Sequence, residues 1–523
     1  MRNKQSLAEL LTLLASQQTE KVKLAITDID GVLRGKVISF EKFRSVAEKG
    51  FGFCDVVFGW DAGDQAYDNG TFTGWHTGSP DAVAVIDVET FRRVPWEKEI
   101  PFFLADFRVG AGGAGPAAAG GTMGAGPADA TGGGPAIDKG KNPGVEADAG
   151  RADAGDSTGG RAGSPGVGHV EAAGQVREDT ALPVCPRGLL KRLVQQCQDE
   201  GYKAVFSQEF EWFNFIGKGN ELTGASFKDL APISHGMFGY SILRASQGSA
   251  FFHDIFDLLG KFDVPLEGIH TETGPGVYEA AILYAEVLEA ADRAVLFKAG
   301  VKEIAHRHGI IPTFMAKYSE SLPGCSGHVH QSLWSADGGR NLFYDKGTAT
   351  GMSPLMESYI AGQLHCLPFI LPMYAPTVNS YKRLVEGAWA PTTLTWAIDN
   401  RTTALRALPG GAASTRLETR VVGSDSNPYL AMAGCLASGL YGIRHQLKLT
   451  TPATVGSGYA DKGKGILPKN LWEATEAMKQ SQIAKELFGE PFTDHFVRTR
   501  EWEWRQFSKV VTDWELKRYF EII

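Results

Sequence analysis

The sequence predicts an α+β protein, and three observations carry that prediction. Residues 1–109 are dominated by alternating apolar and polar runs of strand length. Residues 179–523 mix helical and strand patterns without a regular βαβ rhythm. Between them, residues 110–178 consist mostly of Gly, Ala, Pro and Asp. The chain therefore divides into a small β-rich domain, an insertion and a larger mixed domain.

Within the first domain, leucines at helical spacing over residues 6–14 predict a short helix. Residues 21–40 alternate around Asp30-Gly31, as a β-hairpin does, and residues 82–88 and 100–107 read as further strands. The insertion has almost no large apolar residue, so it cannot bury enough surface to offset its ordering entropy and is expected to be disordered. Beyond it, an amphipathic helix is expected over residues 187–199, a strand over 204–215, and helices over 249–259 and 279–308. Strands then carry the His328 and Arg416 segments, and helices return over residues 427–447 and near the C-terminus.

Composition narrows the class of function. The 523 residues are 43% hydrophobic and 21% charged, with a net charge of -8, so there is no basic footprint for nucleic acid. The six cysteines include no C-x-x-C pair, which reads as reduced thiols in a cytoplasmic protein. Residues 1–20 lack a secretory apolar run, and apolar stretches such as residues 366–373 are too short to span a bilayer. A cytoplasmic enzyme with no membrane or nucleic-acid partner is the expectation.

The chemistry-bearing residues fall in clusters. Glu209 and Glu211 bracket Phe210; on a strand they share a face, where paired carboxylates repel unless a cation lies between them. The alternative is a solvated strand face, which the flanking aromatics disfavour. Glu272 and Glu279 flank a Gly-Pro-Gly kink and converge from the two ends of a loop, with Glu279 expected to open the next helix. His328 and His330 are also two apart, after a glycine-rich turn, and can ligate a metal or hydrogen-bond a phosphate. Arg383, Arg401, Arg406, Arg416 and Arg420 follow, with Glu418 between the last two; their planar forks suit carboxylate and phosphate, although surface ion pairs are the plainer reading of any one.

Together these segments resemble the glutamine synthetase family. The resemblance runs through Glu209-Phe210-Glu211, Glu272 to Glu279, Thr313 to Lys317, His328 to Trp334, Asn379 to Arg383, Arg401 to Arg406 and Arg416 to Leu430. It implies an N-terminal β-grasp domain, a catalytic domain built as an antiparallel strand barrel flanked by helices, and a ring-shaped homo-oligomer with active sites between neighbours. It also implies L-glutamate, ATP and an amine as substrates, with Mg²⁺ or Mn²⁺. One metal would be held by Glu211, Glu272 and Glu279, and a second by Glu209, His328 and Glu418. Arg383 would bind the glutamate carboxylate in a pocket shaped by Arg420 and bordered by Gly324. Arg401 would stabilise the transferring phosphoryl group, while Arg406, Arg416, His330, Ser332 and Glu267 would contact ATP. The reaction implied passes through a γ-glutamyl phosphate.

Departures from the family pattern bear on the amine. Members acting on ammonia read approximately R-L-V-P-G-Y-E-A-P in the flap after Arg383, and the flap glutamate there removes a proton from ammonium. Here Trp389 stands in its place, in Arg383-Leu384-Val385-Glu386-Gly387-Ala388-Trp389-Ala390-Pro391. Indole accepts no proton but packs against an alkyl chain or a cation. This resembles the γ-glutamyl–amine ligases, including those that use polyamines, and the expected second substrate is a primary amine larger than ammonia. Glu386 is an alternative acid, which keeps ammonia as the runner-up. Val277 replaces the usual glutamine, residues 323–328 reshuffle the approach to His328, and Asp61 and Asp64 are candidates for the aspartate lent to a neighbour's amine site. A catalytically silent scaffold is the reading from a different class; the complete set of acids and arginines argues against it.

Overall fold

The computed structural model describes residues 6–108, 181–219, 227 and 229–523. The expectation of disorder for residues 110–178 lies outside them. The N-terminal part comprises α1 (Leu7–Ser16), β1 (Lys21–Thr27), β2 (Leu33–Ser39), α2 (Phe40–Val46), β3 (Phe51–Cys54), β4 (Asp81–Val94) and β5 (Ile100–Arg108). Ser6 caps α1 and exchanges hydrogen bonds with Glu9, satisfying donors the first turn leaves free. The strands form one sheet in the order β2-β1-β5-β4-β3, with β1 parallel to β5 and the other pairs antiparallel. The hairpin expected around Asp30-Gly31 is present as β1 and β2.

The larger part begins with α3 (Pro186–Asp199) and the long strand β6 (Tyr202–Ile216). It continues through α4 (Ile242–Gln247), α5 (Ser249–Lys261), β7 (Leu266–Thr271), β8 (Val277–Ile282), β9 (Ala285–Glu286), α6 (Val287–Arg307), β10 (Ile310–Thr313) and β11 (Val329–Ser335). Next come α7 (Pro354–Ile370), α8 (Ser380–Arg383), β12 (Trp396–Ile398), β13 (Leu405–Leu408), β14 (Arg416–Thr419) and α9 (Pro428–Arg444). The chain ends in α10 (Leu471–Gln480), α11 (Gln482–Phe488), α12 (Glu490–Ser508) and α13 (Asp513–Tyr519). The nine strands β6 to β14 make a sheet ordered β12-β13-β14-β11-β6-β8-β7, to which β9 and β10 add by pairing with β6. β6 is its spine. Phe206, Phe210 and Trp212 turn to the core, where Phe210 stacks on Phe297 of α6, so the alternate residues Glu209 and Glu211 face the other way.

One reading of local pattern fails. Glu279 does not open a helix; it lies inside β8, and α6 starts only at Val287. The run Tyr278-Glu279-Ala280-Ala281 favours helix by propensity, but pairing with β6 on one side and β7 on the other overrides it.

The two parts share one hydrophobic core, in which Ala25, Phe102 and Leu104 of the N-terminal sheet join Leu189, Phe210 and Val295. Asn427, the cap of α9, donates to Asp28 O and Ile29 O in the β1–β2 turn. There Gly31 has φ +83°, and a Cβ would lie 3.0 Å from Asn427 Cα, so the close approach requires glycine. Buried Arg187 of α3 contacts Asp292 of α6 at 2.9 Å, Asp106 of β5 at 2.6 Å and Asp87 of β4 at 2.9 Å. Tyr429 of α9 donates to the same Asp292 at 2.6 Å. Arg187→Met leaves buried Asp292 without a cation and Asp106 and Asp87 with Lys191 alone, and is expected to lower unfolding free energy by about 3–5 kcal/mol. Urea titration measures it, and a loss under about 1 kcal/mol would mean the cluster does not join the two parts energetically.

Cys185, Cys197, Cys325, Cys366 and Cys435 are buried and Cys54 half-buried, all as free thiols. Among the described residues no helix is long and apolar enough to cross a membrane.

Candidate active site

Strand register assembles the acids into two rows. Glu211 of β6 is paired with Glu279 of β8, which is paired in turn with His270 of β7. On the other side of β6, His330 of β11 faces Glu418 of β14, and Glu418 faces Arg406 of β13. Glu209 N donates to His328 O at 3.1 Å, which brings that pair into line. Glu272 follows β7 at a turn where Gly274 and Gly276 have φ +142° and +71°, and its N–H donates to Val277 O at 2.9 Å, closing the hairpin.

Two groups of three result. Glu209, His328 and Glu418 bring ligand atoms within 4.8 Å of one another, and so do His270, Glu272 and Glu279. The first group matches the set expected for one metal. The second contains two of the three acids expected for the other, with His270 in the third position. Glu211 stands beside it, its Oε2 accepting from Ser326 N at 2.6 Å. His270 was not singled out from sequence. Its signal was available, since His270-x-Glu272 repeats the i, i+2 logic of Glu209-x-Glu211.

Electrostatics separates the groups. His328 Nδ1 lies 3.0 Å from Glu209 Oε1 and 3.3 Å from Glu418 Oε1, and His330 Nε2 lies 3.4 Å from Glu209. Burial raises Glu209, but His330 and His328 outweigh it and hold the carboxyl well below its usual range. Burial, with help from Arg420, pushes His328 down to about 4, so it stands neutral and competent as a ligand, its Nε2 buried without a hydrogen-bond partner. Around the second group cations are scarce. Burial, then repulsion from Glu209, Glu211, Glu272 and Glu418, pushes Glu279 up to about 10; burial is also the main reason Glu211 rises to about 7. Carboxylates packed this way without a counter-charge fit a divalent cation, and the oxygen-rich donors suit Mg²⁺ or Mn²⁺.

The arginines rim the first group. Glu418, fully buried, accepts from Arg406 Nη1 at 2.9 Å and from Arg420 Nη1. Arg416 Nε donates to His330 Nδ1 at 3.2 Å. Arg401 is exposed, and its carbonyl accepts Arg420 Nε at 3.0 Å. Two carboxylate–imidazole groups edged by guanidinium forks can hold metals against a polyphosphate and a small carboxylate.

Comparison with known proteins agrees with this chemistry. Residues 183–519 match the model of the glutamine synthetase catalytic domain. The chain is 46% identical over 505 residues to type-1 glutamine synthetase 2 of Dictyostelium discoideum, covering 96% of this chain and 84% of that protein. It belongs to the glutamine synthetase family. Other relatives include a glutamate–isopropylamine ligase from Pseudomonas, 30% identical over 100% of this chain and 99% of the relative. Gamma-glutamylethanolamide synthetase GlnA4 of Streptomyces coelicolor is 32% identical over 98% of this chain and 95% of its own length. A solved structure of unliganded GmaS shares the fold, with a TM-score of 0.74 at 22% identity, over 98% of this chain and all of that one. Like its relatives, the protein is an ATP-dependent ligase of the C–N bond-forming kind.

Several residues that the glutamine synthetase resemblance marked are committed inside the fold. Arg383 is 2% exposed; Nη1 donates to Val421 O, and Nη2 to Ser326 Oγ and Arg420 O, each at 3.0 Å. These bonds tie Arg383 to the segment that follows β14. A Cβ on Gly324 would lie 2.6 Å from Ala316 O and 2.8 Å from Arg383 Cγ, so glycine there lets Arg383 seat. Ser332 Oγ donates to Val205 O at 3.3 Å and accepts from Trp334 Nε1 at 3.0 Å. Glu267 is exposed where the β7–β8 register shifts.

The flap and the N-terminal aspartates sit differently again. Trp389 is 60% exposed at φ +58°, and its backbone carbonyl accepts from Arg420 Nη2 at 3.4 Å. Glu386 pairs with exposed Lys462 at 2.7 Å. Asp61 accepts from Trp502 Nε1 at 2.9 Å and caps its own turn, and Asp64 pairs with Arg34 at 2.6 Å. Within one chain their described partners are therefore not members of the acid cluster.

Proposed function

We propose that the protein joins the γ-carboxyl of L-glutamate to a primary amine larger than ammonia at the expense of ATP. The observation that carries this reading is the flap. Trp389 stands exposed, tied by its carbonyl to Arg420, where ammonia-using members place a proton-accepting glutamate. Glu386, the alternative acid, is paired with Lys462. An alkylammonium ion can pack its chain on an indole face, whereas ammonia gains little from one. Relatives named as a glutamate–isopropylamine ligase and a gamma-glutamylethanolamide synthetase support the same class.

In this reading a γ-carboxylate oxygen attacks the terminal phosphorus of ATP, forming γ-glutamyl phosphate and releasing ADP. The amine nitrogen then attacks the acyl carbon, the C–O bond to phosphate breaks, and the amine's extra proton is lost. Glu209, His328 and Glu418 would hold one metal, and Glu272 and Glu279 a second with His270 or Glu211; bound there, the ions supply positive charge against phosphate and carboxylate oxygens. Arg401, free at the rim, meets the transferring phosphoryl group, with Arg406, Arg416 and His330 beside the nucleotide. Ser332 and Glu267 are secondary nucleotide contacts. Arg420 and Arg383 shape the glutamate pocket beside Gly324. Asp61 or Asp64 would serve a neighbouring subunit in a ring-shaped homo-oligomer, in a cytoplasmic setting.

A second reading, glutamine formation from ammonia, is favoured by the 46% identity to a type-1 glutamine synthetase. Phosphate release with ATP, glutamate and a panel of ammonia, alkylamines, ethanolamine and diamines separates the two, with the γ-glutamyl product identified by mass. An alkylated amine is expected to give the highest kcat/KM; ammonia as the best substrate overturns the first reading in favour of the second.

A further inference from the structure

A cavity of about 850 Å³ lies between the N-terminal sheet and α6, and none of the residues proposed for the ligase reaction lines it. Its walls are the turn and strand at residues 30–37, one face of α6, and residues 312–315. Lys298 and Lys302, one helical turn apart on α6, place their ammonium groups 5.7 Å and 5.8 Å from the ring of Phe314. Lys298 donates to Ser424 O at 2.9 Å and Ser426 O at 3.1 Å, both neutral acceptors, and Asp425 on the same wall, itself accepting from Thr377 and Ser380, favours its charge without forming an ion pair with it. Lys302 reaches into the cavity and has no hydrogen-bond or ion-pair partner among the described residues. Lys23 and Arg34, by contrast, line the same space but are paired with Glu97 and with Asp28 and Asp64. Enclosure by the walls lowers both lysine pKa values, Lys298 to about 7. The acids on these walls are engaged elsewhere, Asp30 with Arg500, Glu303 with Trp96 and Asp425 with Thr377 and Ser380, so two ammonium groups without an ion-pair partner among the described residues, beside apolar Ala25, Leu33 and Met315, suit an anion with some apolar body.

We propose that this cavity binds a small organic anion, a carboxylate or phosphate ester, held by Lys302 and Lys298. The site has a short path to the acids. Lys298 holds Ser424 O, and Ser424 Oγ donates to Glu211 O at 2.7 Å. An anion that draws Lys298 toward itself therefore pulls on the residue that fixes the backbone of Glu211.

Titration calorimetry of the full chain with citrate, succinate and glycerol 3-phosphate tests this, with AMP-PNP and Mg²⁺ saturating the active site. At least one probe is expected to bind with Kd below about 1 mM, the carboxylate and phosphate arms showing which class the site prefers. Lys302→Glu is expected to weaken that binding at least about tenfold, while Lys302→Arg retains it and both variants keep the wild-type Tm. No binding by any probe, equal binding by Lys302→Glu, or binding seen only when the nucleotide is omitted each overturns the proposal. The outcome is independent of which amine the ligase uses.

Discussion

Glu272→Ala is expected to lower kcat/KM for ATP-dependent amide formation by at least about 100-fold, and to leave the fold as stable as before. The two halves of that result have one cause. Glu272 lies within ligand distance of His270 and Glu279, and it contributes to the repulsion that keeps Glu279 protonated. Its own hydrogen bonds to the fold are modest: among the described residues the carboxylate accepts only from Thr273 N, while the bond that closes the hairpin is made by the backbone N–H and survives the substitution. On the proposed assignment, removing this carboxylate would delete a metal ligand and relieve like-charge crowding. The measurements are coupled phosphate release at saturating Mg²⁺ and the Tm in EDTA. Retained activity would reject the assignment of Glu272 to a metal. A Tm that fell sharply in EDTA would show that the residue is structural, and the activity loss would then say nothing about metal.

Alternation within a strand is local, so the shared face of Glu209 and Glu211 and the β1–β2 hairpin could be read directly. The grouping of Glu209, His328 and Glu418 came from the family resemblance, and register across β6, β11 and β14 gives it a physical basis. Glu279 was misplaced because alanine-rich local propensity points to helix, while its strand state depends on partners 68 residues upstream at Glu211 and nine upstream at His270. His270 went unnoticed because a lone histidine has many structural uses; only cross-strand pairing puts it against Glu279. The inward commitment of Arg383 was equally hidden, since its acceptors Val421 O and Arg420 O come from another element. Nor could the sequence show that Trp389 takes a left-handed backbone and turns its ring outward.

Metal removal is expected to make stability fall steeply with rising pH. Burial and the surrounding acids push Glu279 up to about 10, and burial pushes Glu211 to about 7, both from an ordinary carboxyl value of 4.5. An unfolded chain ionises these groups above about 4.5, whereas the metal-free fold keeps them protonated, so the folded state binds more protons and loses stability as pH rises. The loss begins above the unfolded value, continues for Glu211 to about 7, and continues for Glu279 through the whole neutral and mildly alkaline range. At pH 8 the Glu279 shift alone amounts to about 3–5 kcal/mol of destabilisation, an upper range because the site can admit water and relax. His270, Glu272 and Glu279 would hold a divalent ion, whose charge would let the carboxyls ionise in the fold. The Tm difference between 10 mM Mg²⁺ and EDTA is therefore expected to widen by about 5 °C between pH 6 and pH 8.5. Glu279→Gln keeps the shape and cannot ionise; it should flatten the EDTA profile and shrink the Mg²⁺ effect. A Tm gap that stays constant with pH, or a Glu279→Gln profile as steep as wild type, would remove Glu279 from the metal site and leave its burial among acids without a purpose in the reaction.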